Sequence, residues 1–298
     1  MKISRRAVIA AGVMGALAGC LDGDGDDTVD PSELDPERND IPSDTTIDGG
    51  GETIHVEDVS PAFLRLAEGC TVRNLTLVGH RYEEIEREGY WDLPKDQETW
   101  SEASCGIWIE GDDVTIENVE CRGWTHAGIA VGEQDGERLE GVEIRNSAFI
   151  ENNAESLGYG AVVYNGHTEF DGCYWNNNRH DVAGSGSQGC SYGIRNSEVG
   201  PEGRLYGFEM HEPGGRFVRV ETTTFAEKRD RNGTIRELIV NRGTPAEECF
   251  IERNWFQGEL TTGLTDGARE LYRFGENHVG VDLPGDPEIG SPHTERDA

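Results

Sequence analysis

"CTVRNLTL" at residues 70–77, "VTIENVEC" at 114–121, "VEIRNSAF" at 142–149 and "YGIRNSEV" at 192–199 share one plan. Each runs apolar, any, apolar, charged, then asparagine. Weaker copies with stand-ins for the asparagine are "TEFDGCYW" (168–175), "VRVETTTF" (218–225) and "CFIERNWF" (249–256). From residue 114 the copies start at 114, 142, 168, 192, 218 and 249, intervals of 24 to 31 residues. Self-similarity at such a period is the signature of a solenoid.

Alternation decides which kind. The copies have period-two patterning rich in β-branched residues and no helical stripe. Forty glycines suit one or more tight bends per repeat. Asn74, Asn118, Asn146 and Asn196 hold one repeat position and predict a ladder of side-chain amides at a turn. Between the copies lies a second set of strands: "GIWIE" (106–110), "GIAVG" (128–132), "GAVVYNG" (160–166), "FEMHEPG" (208–214) and "ELIVNRG" (237–243). One strand of each kind per coil predicts an all-β, right-handed parallel β-helix of roughly seven or eight coils over residues 45–285. A leucine-rich repeat is the poorer reading, because its leucine–asparagine spacing is absent. On these motifs the chain resembles the pectin-lyase-like superfamily of right-handed β-helices.

One segment breaks the repeat. Residues 80–104, "HRYEEIEREGYWDLPKDQETWSEAS", form an insertion carrying Tyr82, Tyr90, Trp91 and Trp100. Flat rings on an excursion suit stacking on sugars, so Trp91 and Trp100 are candidate substrate contacts. The competing reading is a self-packed loop that shields the flank of the helix.

The beginning of the chain reads as an address. "SRRAVIAAGVMGALAGC" has the twin arginines Arg5 and Arg6, a short apolar run and "LAGC" ending at Cys20. Residues 1–19 are expected to be a twin-arginine signal peptide, with a lipid on Cys20 holding the protein at the outer face of the cell membrane. A cleaved signal ending near Ala18 is the alternative. Residues 20–44, acid- and proline-rich, are expected to be a flexible tether, and residues 286–298 a disordered tail.

Charge narrows the setting. There are 58 acidic residues against 26 basic ones, a net charge of −32, and removing residues 1–19 takes away Lys2, Arg5, Arg6 and no acid. Self-repulsion of this size is tolerable where molar salt shortens the Debye length to about 3 Å. The balance resembles proteins of extreme halophiles and argues against nucleic acid as a partner. Six cysteines follow Cys20, at 70, 105, 121, 173, 190 and 249. Their spacing matches no zinc pattern, and disulfides and buried thiols both stay open.

The candidate site is "NNNRHDVAGSGSQG" (176–189) together with "FEMHE" (208–212). If Phe208 and Met210 face the core, Glu209 and His211 face out. If Val182 faces the core of the neighbouring coil, Asp181 points out beside Glu209; taking Ala183 as the inward residue instead turns Asp181 inward and His180 outward. Arg179 and His180 stand at the strand entrance. Paired carboxyls suit glycoside hydrolysis, because one pKa rises and an acid/base pair results. Arginine and histidine suit a lyase, the arginine neutralising a uronate carboxylate while a base removes the adjacent proton. A third option is a divalent cation on His180, His211 and a carboxylate. "GWTHAGIAVG" adds His126 and Trp124 as candidate substrate contacts, with His126 two coils, roughly 10 Å, from His180.

"WTHAGI", "NRHDVAGSG" and "FEMHEPGG" together resemble segments of exported haloarchaeal and bacterial β-helix proteins, a resemblance that implies fold and not chemistry. The calcium-binding acids of pectate lyases and the glycine-histidine-glycine segment of polygalacturonases have no residue-by-residue match here. The expected function is action on an extracellular polysaccharide, as lyase or glycosidase. The alternative is a non-catalytic surface lipoprotein that binds glycans or a cell-envelope partner.

Overall fold

The computed structural model describes residues 28–35, 38–56, 61–79, 104–152, 157–229 and 233–282. Nearly all regular structure is parallel β-strand, in one sheet of sixteen strands and another of nine. This arrangement is compatible with a β-helix or a related solenoid.

The repeats produce it by stacking like residues. Thr71–Val78 lies on Thr115–Arg122 with Val72 against Ile116, Leu75 against Val119 and Leu77 against Cys121. All six are buried, and each such side chain withdrawn from water contributes about 1.5–3 kcal/mol. The core is continuous along the stack, from Ile41 and Ile47 at one end to Phe256 and Tyr272 at the other.

The asparagine position is a corner. Asn74, Asn118, Asn146 and Asn196 all adopt left-handed φ, between 49° and 55°. The stand-ins behave alike, with φ of 66° at Gly172, 47° at Thr222 and 55° at Arg253. Asparagine's short polar side chain tolerates this conformation better than most. Here the first sheet creases, so that Gly166–Asp171 is followed by Tyr174–Asn176, and Cys190–Arg195 by Glu198–Val199. Two strands per coil were expected, and the crease makes three.

The expected ladder forms in two pieces. Asn118 Nδ2 donates to Asn74 Oδ1 at 2.9 Å and Asn74 Nδ2 to Asp48 Oδ1 at 2.9 Å. Asn196 Nδ2 donates to Asp171 Oδ1 at 2.9 Å, and Thr222 Oγ1 to Asn196 Oδ1 at 2.8 Å. A second ladder is buried: Asn152 Nδ2 donates to Asn178 Oδ1 at 3.1 Å and Asn178 Nδ2 to the Phe149 carbonyl at 2.9 Å.

Strand pairing begins earlier than the tether reading allows. Thr28–Val29 pairs with Thr46–Ile47, and Asn39–Ile41 with Leu64–Leu66. Val29 and Leu34 pack against the core and Ile41 is part of it, which gives even this acidic stretch apolar anchors. The expected signal peptide at 1–19, Cys20 and the expected tail at 286–298 lie outside the described residues. All six cysteines after Cys20 are buried free thiols. Among the described residues no helix is long and apolar enough to cross a membrane.

Candidate functional site

The second sheet carries the site. Five of its strands lie side by side in the order Cys105–Ile109, Ala127–Val131, Tyr159–Val163, Asn178–Gly184 and Gly203–Met210. Two rows of residues cross them on the outer face. One runs Cys105, Ala127, Tyr159, His180, Tyr206. The other runs Trp108, Ala130, Val162, Ala183, Glu209. Strict alternation would separate outward residues by two, but here they are three apart, as in Tyr159 and Val162.

The extra residue is a glycine on four strands, Gly106, Gly128, Gly160 and Gly207, and on the fifth it is Asp181. A Cβ at Gly128 would press on Cys121 and Phe149 and one at Gly160 on Trp175, all core side chains, so this position points inward. Asp181 follows suit. It is fully buried and ion-paired with the equally buried Lys228 Nζ, with Asn178 Nδ2 3.3 Å away. Burial pushes its carboxyl up, and the Lys228 ammonium opposes that. Gly203 makes room for the lysine, since a Cβ there would collide with the Lys228 stem.

This corrects the expected pairing of carboxyls. Val182 does face the core opposite Phe208, as assumed, yet Asp181 does not point out, because the strand fails to alternate between His180 and Ala183. Ala183, not Asp181, stands beside Glu209. The two carboxyls lie on opposite sides of the sheet.

Glu209 is outward and nevertheless only 1 % exposed. Its Oε2 lies 2.6 Å from His180 Nδ1 and 3.2 Å from His211 Nε2, and Oε1 accepts from Arg242 Nε. Burial alone would raise its pKa, but the contacts from His180 and His211 outweigh burial and hold the carboxyl well below the usual range. Glu209 is therefore an ionised anchor and not a proton donor. His180, 2 % exposed, is pushed down to about 4 by burial against the pull of Glu209. A neutral ring with Nδ1 toward Glu209 leaves Nε2 as an acceptor; neither buried ring nitrogen makes a hydrogen bond of good geometry, Nδ1 only approaching Oε2 at 2.6 Å.

His211 differs. Its side chain is 38 % exposed, so with Nε2 held by Glu209 it can exchange a proton through Nδ1. Arg242 covers the Tyr206 ring at 5.2 Å. Arg179 is half-buried over Tyr159 at 6.0 Å, its Nε unpaired and, among the described residues, with no carboxylate partner.

Of the remaining candidates, His126 is buried, with Nε2 2.6 Å from Tyr164 Oη and its pKa pushed down to about 4 by burial. It reaches the site through Tyr159, whose ring lies 6.3 Å from His126 and 5.3 Å from His180. Trp124 is not a surface contact: it is fully buried in the core, its Nε1 donating to the Leu77 carbonyl at 3.3 Å. Trp91 and Trp100 lie outside the described residues. Among the described residues no group of three or more histidine, cysteine or acidic side chains is arranged to hold a metal ion.

Arg242, Tyr206, Tyr159 and Lys228 were missed in the sequence. Arg242 had a signal, since "ELIVNRG" is the strand after "FEMHE" and places its arginine one coil on. Asp181 had one too, because aligning "GIWIE", "GIAVG", "GAVVY" and "GFEMH" with "DVAGS" puts it in a column of glycines. Compared with protein-family models, with curated proteins and with solved structures, the chain matches none.

Proposed function

We propose that the protein is a polysaccharide lyase acting on an acidic glycan outside the cell. What carries the reading is Glu209, a buried ionised carboxylate on the outer face of a sheet, gripping one half-exposed histidine and one buried histidine with an unpaired acceptor. In this scheme Arg179, which has no carboxylate partner among the described residues, receives a uronate carboxyl. His180 Nε2 accepts from a sugar hydroxyl. His211 Nδ1 takes the proton from the carbon next to the carboxyl. The electron pair of that C–H bond becomes the new C=C bond, the neighbouring C–O bond breaks, and the departing oxygen takes a proton from solvent. Glu209 and Arg242 are positioning residues that hold His211.

A glycosidase is the weaker form of the idea, because Asp181 faces the wrong way to pair with Glu209. Glycan binding without chemistry is the second reading, favoured by the extent of the network around Glu209, which engages Arg242 as well as both histidines.

The same proposal includes a right-handed β-helix of roughly seven or eight coils, of the pectin-lyase-like kind. It also includes export by the twin-arginine route, a lipid on Cys20 and work in high salt, supported by "SRRAVIAAGVMGALAGC" and the net charge of −32.

The test is incubation with a panel of uronate and neutral polysaccharides in molar KCl, following ultraviolet absorbance of unsaturated product and new reducing ends. The lyase reading expects both signals on a uronate polymer and neither from His211→Ala. Reducing ends without absorbance would make it a hydrolase; binding without either signal would leave the second reading.

A further inference from the structure

Lys228 is the one lysine among the described residues, and it lies inside the core. Neither its side chain nor that of Asp181 has any exposure. The coils around them are filled by Trp175, Phe208 and Phe225, whose rings follow one another at 5.5 and 5.4 Å. A Cβ at Gly203 would collide with both Cε and Nζ of Lys228, so the end of the lysine is pinned against that strand. Nζ is thereby held on Asp181 Oδ2, while Asn178 Nδ2 reaches Oδ1 of the same carboxyl at 3.3 Å.

The donors here outnumber the acceptors. An ammonium carries three N–H groups. Among the described residues Asp181 Oδ2 is the one acceptor that meets Lys228. The buried Trp175 Nε1 has no acceptor either. Two ions in a dry core with most of the ammonium's hydrogen-bonding capacity unused are strongly disfavoured. Moving one proton from Nζ to the carboxyl removes both charges, and burial already pushes the Asp181 carboxyl up, in that direction. A neutral amine then lies against a neutral acid. Joining them as an amide leaves a single N–H where the ammonium had three.

We propose that Lys228 and Asp181 condense in the folded protein to an amide, a covalent tie between residues 47 apart that joins strand Asn178–Gly184 to the chain beyond Thr224–Phe225. The Nζ lone pair adds to Asp181 Cγ and the C–N bond forms. One carboxyl oxygen leaves as water, carrying the acid proton and one proton of the amine, so no oxidant or other reactant is consumed. Asn178 Nδ2, on Oδ1, polarises the carbonyl under attack. Groups fixed in contact react as if at about 10⁵–10⁸ M, and the lack of exposure withholds the water that would reverse the step. No second acid among the described residues touches the pair to carry protons, so the reaction is slow and a fresh sample holds the unlinked ion pair.

The experiment is mass spectrometry of the whole protein, intact and after proteolysis, on a fresh sample and again after a month in molar KCl. A species one water lighter should accumulate, with a branched peptide joining the segments that carry Asp181 and Lys228. Incubation in urea should stop its growth, because unfolding separates the two groups. Lys228→Arg, which keeps the charge and has no amine to condense, should keep the mass that its sequence requires. An unchanged mass in the parent at both times overturns the cross-link. So does loss of water without the branched peptide, which is ring closure at an aspartate elsewhere. A branch at Asn178, with ammonia lost instead of water, overturns the assignment to Asp181.

Discussion

Asp181 and Glu209 sit on neighbouring strands, both are buried acids, and their surroundings give them opposite uses. Asp181 is turned inward to the core, where Lys228 and Asn178 are its partners and neither it nor Lys228 has any side-chain exposure. Glu209 is turned out, with His180 beneath it and two side chains reaching solvent, His211 and Arg242 at 38 % and 48 % exposed. The inner pair can only hold the coil together. The outer network reaches solvent through His211 and Arg242. On the proposed function, which way a carboxyl faces, and not its type or its place in a motif, separates scaffold from chemistry.

Breaking the inner pair should give the largest loss of stability. Lys228→Met leaves Asp181 buried without its counter-charge and should cost about 3–5 kcal/mol in urea unfolding. Adding Asp181→Leu should restore most of that, since a buried pair replaced by apolar groups is often neutral. If the single variant unfolds like the parent, Asp181 has another source of support and the inner half of the comparison falls.

Acid should separate the regions next. His126 has an ordinary pKa of 6.5 and is lowered to about 4 in the fold, so the folded state binds fewer protons than the unfolded one on acidification. Its contribution is fully present above pH 6.5 and is lost as the pH falls through 4. The loss approaches roughly 3 kcal/mol. His126→Gln should flatten the stability curve over that window, as read by melting temperature against pH; an unchanged slope would mean that the buried ring is protonated without cost.

The corner ladder is the smallest term. Asn118→Ala removes one amide rung and places alanine at a φ of 52°, costing about 1–3 kcal/mol. Asn118→Gly, which keeps the corner and loses the rung, should cost less, and the difference between the two measures the backbone part.

These residues also mark what could be read from the chain. Period-two copies with a shared asparagine were enough for the parallel strands and the ladder, because stacking makes each repeat face its own likeness. Two things were hidden. The crease at the asparagine doubles the strands of the first sheet, and a left-handed φ has no trace in an apolar pattern beyond the asparagine itself. The phase of "RHDVAG" was hidden because alternation fails between His180 and Ala183. There the column of glycines at 106, 128, 160 and 207 was the better guide to Asp181 than the apolar neighbours. Lys228 and Arg242 reach their partners from 47 and 33 residues away, contacts that no local pattern encodes.

The most direct measurement is turnover per folded molecule on an acidic polysaccharide, in molar salt, for His211→Ala and Asp181→Asn side by side. The outer network predicts a kcat loss of about 10²–10⁴ for His211→Ala with little change in stability. For Asp181→Asn it predicts a lowered melting temperature and an unchanged kcat. Full turnover in His211→Ala, or a collapse of kcat in a well-folded Asp181→Asn, would contradict the division between the two carboxyls.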